Sequence, residues 1–209
     1  MLSYLRYPSQ TLCDACKPRT NIGYAAARFN EIAGKHLLSD LGTAPGIDPL
    51  TVSHDPVIGG CMIWESYGGQ MFAAIVERVW RERGRRIIIT SERHGKQAAM
   101  GYVQRNDNRR GSWGMGSDWT YKGCIVNPAC TIDRDDIPSD PVRFGQHGDA
   151  VTVLQYLLCL HGFDVEIDGY FGAHTRNELG KYQRDNGLTV DHVCAGETLE
   201  RLVYGVYII

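Results

Sequence analysis

No apolar run in the 209 residues approaches the roughly 18 needed to span a membrane, so membrane insertion is not expected. The opening MLSYLRYPSQ lacks a basic start followed by an apolar core, so no secretory leader is legible. Synthesis in a reducing cytoplasm is the resulting expectation. No H-x-x-x-H pair is present, and neither His54 nor His94 opens an H-x-D, so the usual local signature of a zinc centre is missing around them. Seven cysteines is an odd number and cannot pair off completely. Cys13 and Cys16 form a C-x-x-C, and Cys124 and Cys130 lie close in sequence. The four are read as a structural zinc site, as two disulfides, or as scattered buried thiols.

What is present is ordinary in bulk and uneven in detail. Hydrophobic content of 43% and charged content of 22% fit a soluble globular chain of one mid-sized or two small domains. Net charge is −2, yet residues 78–110 carry ten Arg and Lys against three acids. That stretch either faces an anionic polymer or forms a solvated face. Residues 141–209 are the reverse, with five Lys and Arg against nine Asp and Glu.

The sharpest boundary is IDRDDIPSDPVRFGQHGD, with two prolines, clustered aspartates and no helical period. It sets an α+β domain over 1–135, a linker over 136–148 and a small all-α domain over 149–209. After the boundary the pattern is clean. DAVTVLQYLLCLHG places Val151, Leu154, Leu157 and Leu158 on one helical face, ended by Gly162. A turn follows at Asp168-Gly169. Thr175 is then expected to cap a helix carrying Leu179 and Tyr182, ended by Gly187. GETLERLVY supplies a third helix with Leu199, Leu202 and Val203.

The frame G-x-x-V-x-x-L-Q-x-x-L, D-G-x-F-G-x-x-T, Y-Q-x-x-x-G-L, G-x-T-L-x-x-L resembles the peptidoglycan-binding domain of bacterial and phage cell-wall enzymes. Here it runs through Gly148, Val151, Leu154, Gln155, Leu158, Asp168, Gly169, Phe171, Gly172, Thr175, Tyr182, Gln183, Gly187, Leu188, Gly196, Thr198, Leu199 and Leu202. The resemblance covers about 143–204 and implies peptidoglycan as partner. Most of these residues are scaffold; Asp168, Tyr170, Phe171 and Thr175 are the candidates for wall contact.

Residues 1–140 are less regular. NIGYAAARFNEIAGKHLL, over 21–38, reads as an amphipathic helix, and QMFAAIVERVWRERG as another, stopped at Gly84. RRIIITS is a buried strand, and 101–123 a long loop or irregular sheet. A wall-binding module is usually tethered to an enzyme acting on the wall, which raises local substrate concentration. Three chemistries compete. Glycan cleavage needs a carboxyl with a raised pKa. Glu65 in MIWESYGG is similar to the Glu-Ser motif that ends a helix in lytic transglycosylases and goose-type lysozymes. Glu92 in TSERHGK, with Asp118 after a Gly-rich stretch, distantly resembles the goose-type order of Glu then Asp. The alternative for each Glu is a surface carboxylate paired with arginine.

Zinc-dependent peptide cleavage is the second chemistry. ERVWRERGRRIIITSERHGKQAAMG resembles the start of cell-wall zinc peptidases, with Trp113 where a ligand histidine belongs. His54, His94 and Asp118 would have to be gathered by folding. A Cys61–His94 pair is the third, and a buried thiol its bland counterpart. The non-enzymatic alternative is a phage virion component that docks on the wall beside other virion subunits. Nucleic-acid binding is not expected, because the basic stretch contains no reading motif. The combined expectation is an endolysin-like muralytic glycosidase without cofactor, made in the host cytoplasm. It would act at the wall after release or within a virion.

Overall fold

The computed structural model describes residues 21–39, 42–43, 46, 48–83, 85–94, 97–106 and 113–209, with 43, 82, 94 and 97–106 described by backbone alone. The Cys13–Cys16 motif and Gly84 lie outside the described residues. The chain divides into two compact units, with Tyr7–Thr131 in one and Ile132–Ile209 in the other.

The N-terminal unit is α+β, as the sequence implies. Helix α1 (Asn21–Ala33) buries Tyr24, Ala25, Phe29 and Ile32. It stops short of the expected residue 38 because Gly34 turns left-handed at φ 66°. Asn30 then accepts from the backbone N–H groups of Leu37 and Leu38, fixing the exit. Leu38–Ser39 (β1) and Gly42–Thr43 (β2) form a small pair. The main sheet is wholly antiparallel. It contains β3 (Val52–Ser53), β4 (Cys61–Ser66), β5 (Met71–Glu82), β6 (Arg85–His94), β7 (Gln97–Asn106) and β8 (Trp119–Ile125). Their spatial order is β3-β8-β4-β5-β6-β7.

One expectation is corrected. The segment 70–84, read as a helix, is strand β5. Both faces of β5 are covered, so Ala73 to Glu77 are buried without alternation. A β-bulge between Val76 and Arg78 also breaks the period of two, and the apolar positions fall at helix-like spacing. Of the two readings of 101–123, a long loop or irregular sheet, the described residues favour the sheet, since they contribute to β7 and β8.

Glu77 is the extra residue of that bulge, and it is only 3% exposed. The Arg28 guanidinium meets it with two parallel hydrogen bonds of 3.0 Å, and Ser91 Oγ donates a third at 2.6 Å. Every charge in this buried cluster is therefore paired. Gly59 and Gly60 sit directly beneath thiols: a Cβ at Gly59 would lie 2.3 Å from Cys130 Sγ, and one at Gly60 2.5 Å from Cys124 Sγ.

The C-terminal unit holds three helices: α2 (Asp149–Leu160), α3 (Ala173–Asp185) and α4 (Gly196–Val203). Leu154, Leu157, Leu158, Phe171, Leu179 and Leu202 form its core. The stretch read as a linker is folded from Val142 onward. Val142 and Cys194 exchange two backbone hydrogen bonds of 3.0 Å, and Gly145 N donates to Phe171 O at 2.9 Å. Phe171 and Cys194 are buried, and these bonds satisfy backbone groups that would otherwise be stranded. Near the chain's end, Ile209 N donates to Ile132 O at 2.9 Å.

Glu77→Ala leaves Arg28 buried without its main partner. It is expected to destabilise the N-terminal unit by about 3–5 kcal/mol, read as a lowered urea midpoint of the full chain. An unchanged midpoint would show that the pair is dispensable.

Candidate functional site

Glu65 lies on strand β4, where it pairs with Met71 on one side and Thr120 on the other. The expected helix end is absent there, since CMIWES is a strand. Lys122 is the extra residue of a bulge in β8, and the bulge aims its Nζ at Glu65 Oε2, 2.7 Å away. Both side chains are well exposed, at 38% and 48%, so the pair adds little stability. Asp118 joins the same end of the sheet: Tyr67 N donates to its carbonyl at 3.1 Å, and Ser117 Oγ to its carboxylate at 3.1 Å. The chain thus brings Glu65 and Asp118 to neighbouring strand ends. Tyr67 beside them is 84% exposed, and Phe72 packs edge-on to Trp119.

Glu92 is not part of this group. Cys61, Ile75 and Ser91 stand in one row across β4, β5 and β6, and Glu65 shares their face. Glu92 follows Ser91 and projects from the other face, where it is 0% exposed. A polymeric glycan cannot reach a carboxylate so enclosed.

The zinc candidates do not converge. His54 follows Ser53, which pairs with Cys124 at the far end of β8 from Asp118. Six residues of strand separate those two positions, about 20 Å. His94 ends β6. Trp113 is 8% exposed and packs against Tyr121. Among the described residues no three His, Cys, Asp or Glu side chains gather as metal ligands.

The thiol reading is corrected. Cys61 is fully buried, and burial, reinforced by Cys124, pushes its thiol far above the ordinary range. It would therefore remain a thiol and not a nucleophile. Cys124 and Cys130 are both free and buried, each pushed up to about 12 by burial, and form no disulfide.

The C-terminal unit shows a built arrangement, present twice. Gln155 on α2 inserts its amide into the following loop. Its Oε1 accepts from Asp168 N at 3.1 Å and Gly169 N at 2.8 Å. Its Nε2 donates to Asp168 Oδ1 at 2.7 Å, Tyr170 O at 3.1 Å and Thr175 Oγ1 at 3.1 Å. Gln183 on α3 repeats this. His192 N donates to its Oε1 at 2.9 Å, while its Nε2 donates to Asp191 Oδ1 at 2.7 Å, Val193 O at 3.1 Å and Thr198 Oγ1 at 3.2 Å. Gly169 and His192 take the same left-handed backbone, at φ 71° and 59°.

Gln183, Asp191 and Thr198 were not recognised from the sequence as a second copy of the Gln155, Asp168 and Thr175 set. The legible signal was D-x-x-x-x-x-x-T at 168–175 and again at 191–198, with Phe171 and Leu179 matching Cys194 and Leu202. Thr175 is not the expected cap, since Gly172 takes that position and the Thr175 hydroxyl serves Gln155.

Of the four wall-contact candidates, Phe171 (0% exposed) and Thr175 (3%) are enclosed. Asp168 is at the surface, and Tyr170 is 42% exposed with its ring stacked on His147 at 4.5 Å. Nearby lies a feature that sequence alone gave no sign of: Phe144, 55% exposed, with the Arg176 guanidinium 5.7 Å from its ring centroid.

Residues 147–202 match the family described as "Putative peptidoglycan binding domain". This segment is a peptidoglycan-binding domain. Over 59 residues, 28% of the chain, it is 44% identical to N-acetylmuramoyl-L-alanine amidase CwlM of Mycobacterium tuberculosis. The chain spans only 14% of that relative. Among solved structures, a periplasmic domain of the EpsAB fusion protein of the Vibrio vulnificus type II secretion system is 17% identical at TM-score 0.31, covering 68% of this chain and 55% of that one. A peptidoglycan-binding protein from Clostridioides difficile, in complex with glutamine hydroxamate, is 17% identical at TM-score 0.30, covering 96% and 87%. Both superpose too loosely to speak for the N-terminal unit.

The glutamines make the peptidoglycan-binding domain testable. Gln155→Ala strands the N–H groups of Asp168 and Gly169 and is expected to cost about 3 kcal/mol, measured by denaturant unfolding. A loss below about 0.5 kcal/mol would mean that water replaces the amide.

Stability should also depend on acid. The Gln155 amide, then Tyr170 N, hold the Asp168 carboxyl below its usual range, and Val193 N, then Gln183, do the same for Asp191. A carboxyl depressed in the folded state stabilises above its unfolded pKa, about 4. That stability is lost as pH falls through the lower folded value. The melting temperature of this domain should therefore stay level from about pH 7 to 5 and drop below about pH 4. A matching drop above pH 5 would place the sensitive groups elsewhere.

Proposed function

We propose that the protein is an endolysin-like cell-wall lytic protein. Its peptidoglycan-binding domain holds the wall while the N-terminal unit cuts the glycan strand by acid catalysis. The observation carrying this reading is the family match over residues 147–202, since a wall tether serves an activity directed at the wall. The carboxylates we assign are Glu65 and Asp118, which the sheet brings to one exposed end. Lys122 holds Glu65 Oε2, and among the described residues Oε1 has no hydrogen-bond partner. In its protonated form Glu65 gives its proton to the glycosidic oxygen as the C1–O bond breaks, Asp118 supports the positive charge that develops on the sugar, and water adds at C1 and returns a proton to Glu65. No cofactor enters this scheme. The protein would reach the wall after release from the cytoplasm in which it is made, or as part of a virion.

A second reading is favoured by the Glu65–Lys122 ion pair itself. A carboxylate already matched by a cation suits a binding surface, and Tyr67 offers an exposed ring beside it. In that case the N-terminal unit docks the wall-bound protein onto another virion subunit.

Clearance of purified sacculi by the full chain, with mass spectrometry of soluble products, separates these readings. Disaccharide fragments released regardless of EDTA, with Glu65→Gln or Asp118→Asn slowing release at least about a hundredfold, is the expected result. EDTA-sensitive peptide cuts would restore the zinc peptidase. Binding without release would leave the docking protein.

A further inference from the structure

We propose that Phe144 and Arg176 form the contact through which the peptidoglycan-binding domain takes the acidic stem peptide of the wall, and not the glycan strand. This rests on the peptidoglycan-binding reading and names the chemistry recognised.

Phe144 is an unusual residue to leave in solvent, at 55% exposure, and the Arg176 guanidinium lies over its ring, 5.7 Å from the centroid. Both are rigidly mounted. The backbone around Phe144 is pinned by the Val142–Cys194 exchange and by Gly145 N donating to Phe171 O. Arg176 lies in the first turns of α3, and its N–H donates to Gly172 O at 3.0 Å.

Residues 141–209 carry nine acids against five Lys and Arg, so their overall field repels acidic ligands. Lys181 and Arg201 are matched by Glu178 and Glu197. Among the described residues no carboxylate pairs with Arg143, Arg176 or Arg184, all three exposed, and Arg176 is set over an aromatic ring as well. A guanidinium held near a ring without a carboxylate partner keeps N–H donors free, in a fork that fits a carboxylate. In intact peptidoglycan the lactyl carboxyl is consumed in the amide to the peptide, so the free carboxylates belong to the stem peptide. The ring beside the cation meets the peptide's methyl groups. A neutral sugar would use the ring but leave the guanidinium without an anion.

The test measures binding of the full chain to purified sacculi at low and high salt. Competitors are a synthetic stem pentapeptide, its carboxyl-amidated form, and the uncharged tetramer of N-acetylglucosamine. Arg176→Gln and Phe144→Ala should each weaken binding about tenfold with the melting temperature unchanged, as expected of exposed positions. Arg176→Gln should also flatten the salt dependence, and only the free pentapeptide should compete. Wild-type binding that both variants retain in full overturns the proposal, as does competition by the sugar tetramer or by the amidated peptide as strongly as by the free one. No binding of the wild-type chain overturns the peptidoglycan-binding reading along with it.

Discussion

Two glutamine side chains set the geometry of the peptidoglycan-binding domain. Each lies on a buried helical face and ends in an amide that must be satisfied on both atoms. The loops after α2 and α3 supply that satisfaction by turning their backbone N–H and C=O groups inward, which fixes where each loop lies and where the next helix starts. The surface pieces follow from this. Tyr170 sits where its carbonyl can meet Gln155, and the 142–148 segment then lies along Phe171, carrying Phe144 into solvent. The exposed rings of this domain are thus displayed by amides that are themselves buried.

The N-terminal unit achieves placement by another device. Two β-bulges each add one charged residue that the ladder does not need. Glu77 in β5 turns inward, where it is matched by Arg28 and Ser91. Lys122 in β8 meets Glu65 at the sheet's exposed end. One bulge anchors the helix to the sheet, and the other brings a cation to Glu65, one of the acids that the sequence reading singled out.

Legibility differed sharply between the two units. The C-terminal helices could be read because each is amphipathic, lies between glycines and buries one face; Leu154, Leu179 and Leu202 all fall in the core. Strand β5 could not, since burial on both faces and a bulge erase the alternation that marks a strand. The same burial undid the site candidates that looked reasonable by residue type. Glu92 and Cys61 carry suitable chemistry, but in a sheet a shift of one residue moves a side chain to the opposite face. Phe144 and Arg176 were invisible for a different reason: their meeting is a matter of three-dimensional neighbourhood between a loop and a helix, with no spacing rule to reveal it.

The thiols have a consequence for the conditions in which this fold can persist. Cys61, Cys124, Cys130, Cys159 and Cys194 are all free and all buried. Where burial has raised them, as at Cys194, pushed up to about 12, almost no thiolate is present to attack a disulfide or meet an oxidant. The part of the fold that they occupy therefore forms without oxidising equivalents and offers little to them afterwards.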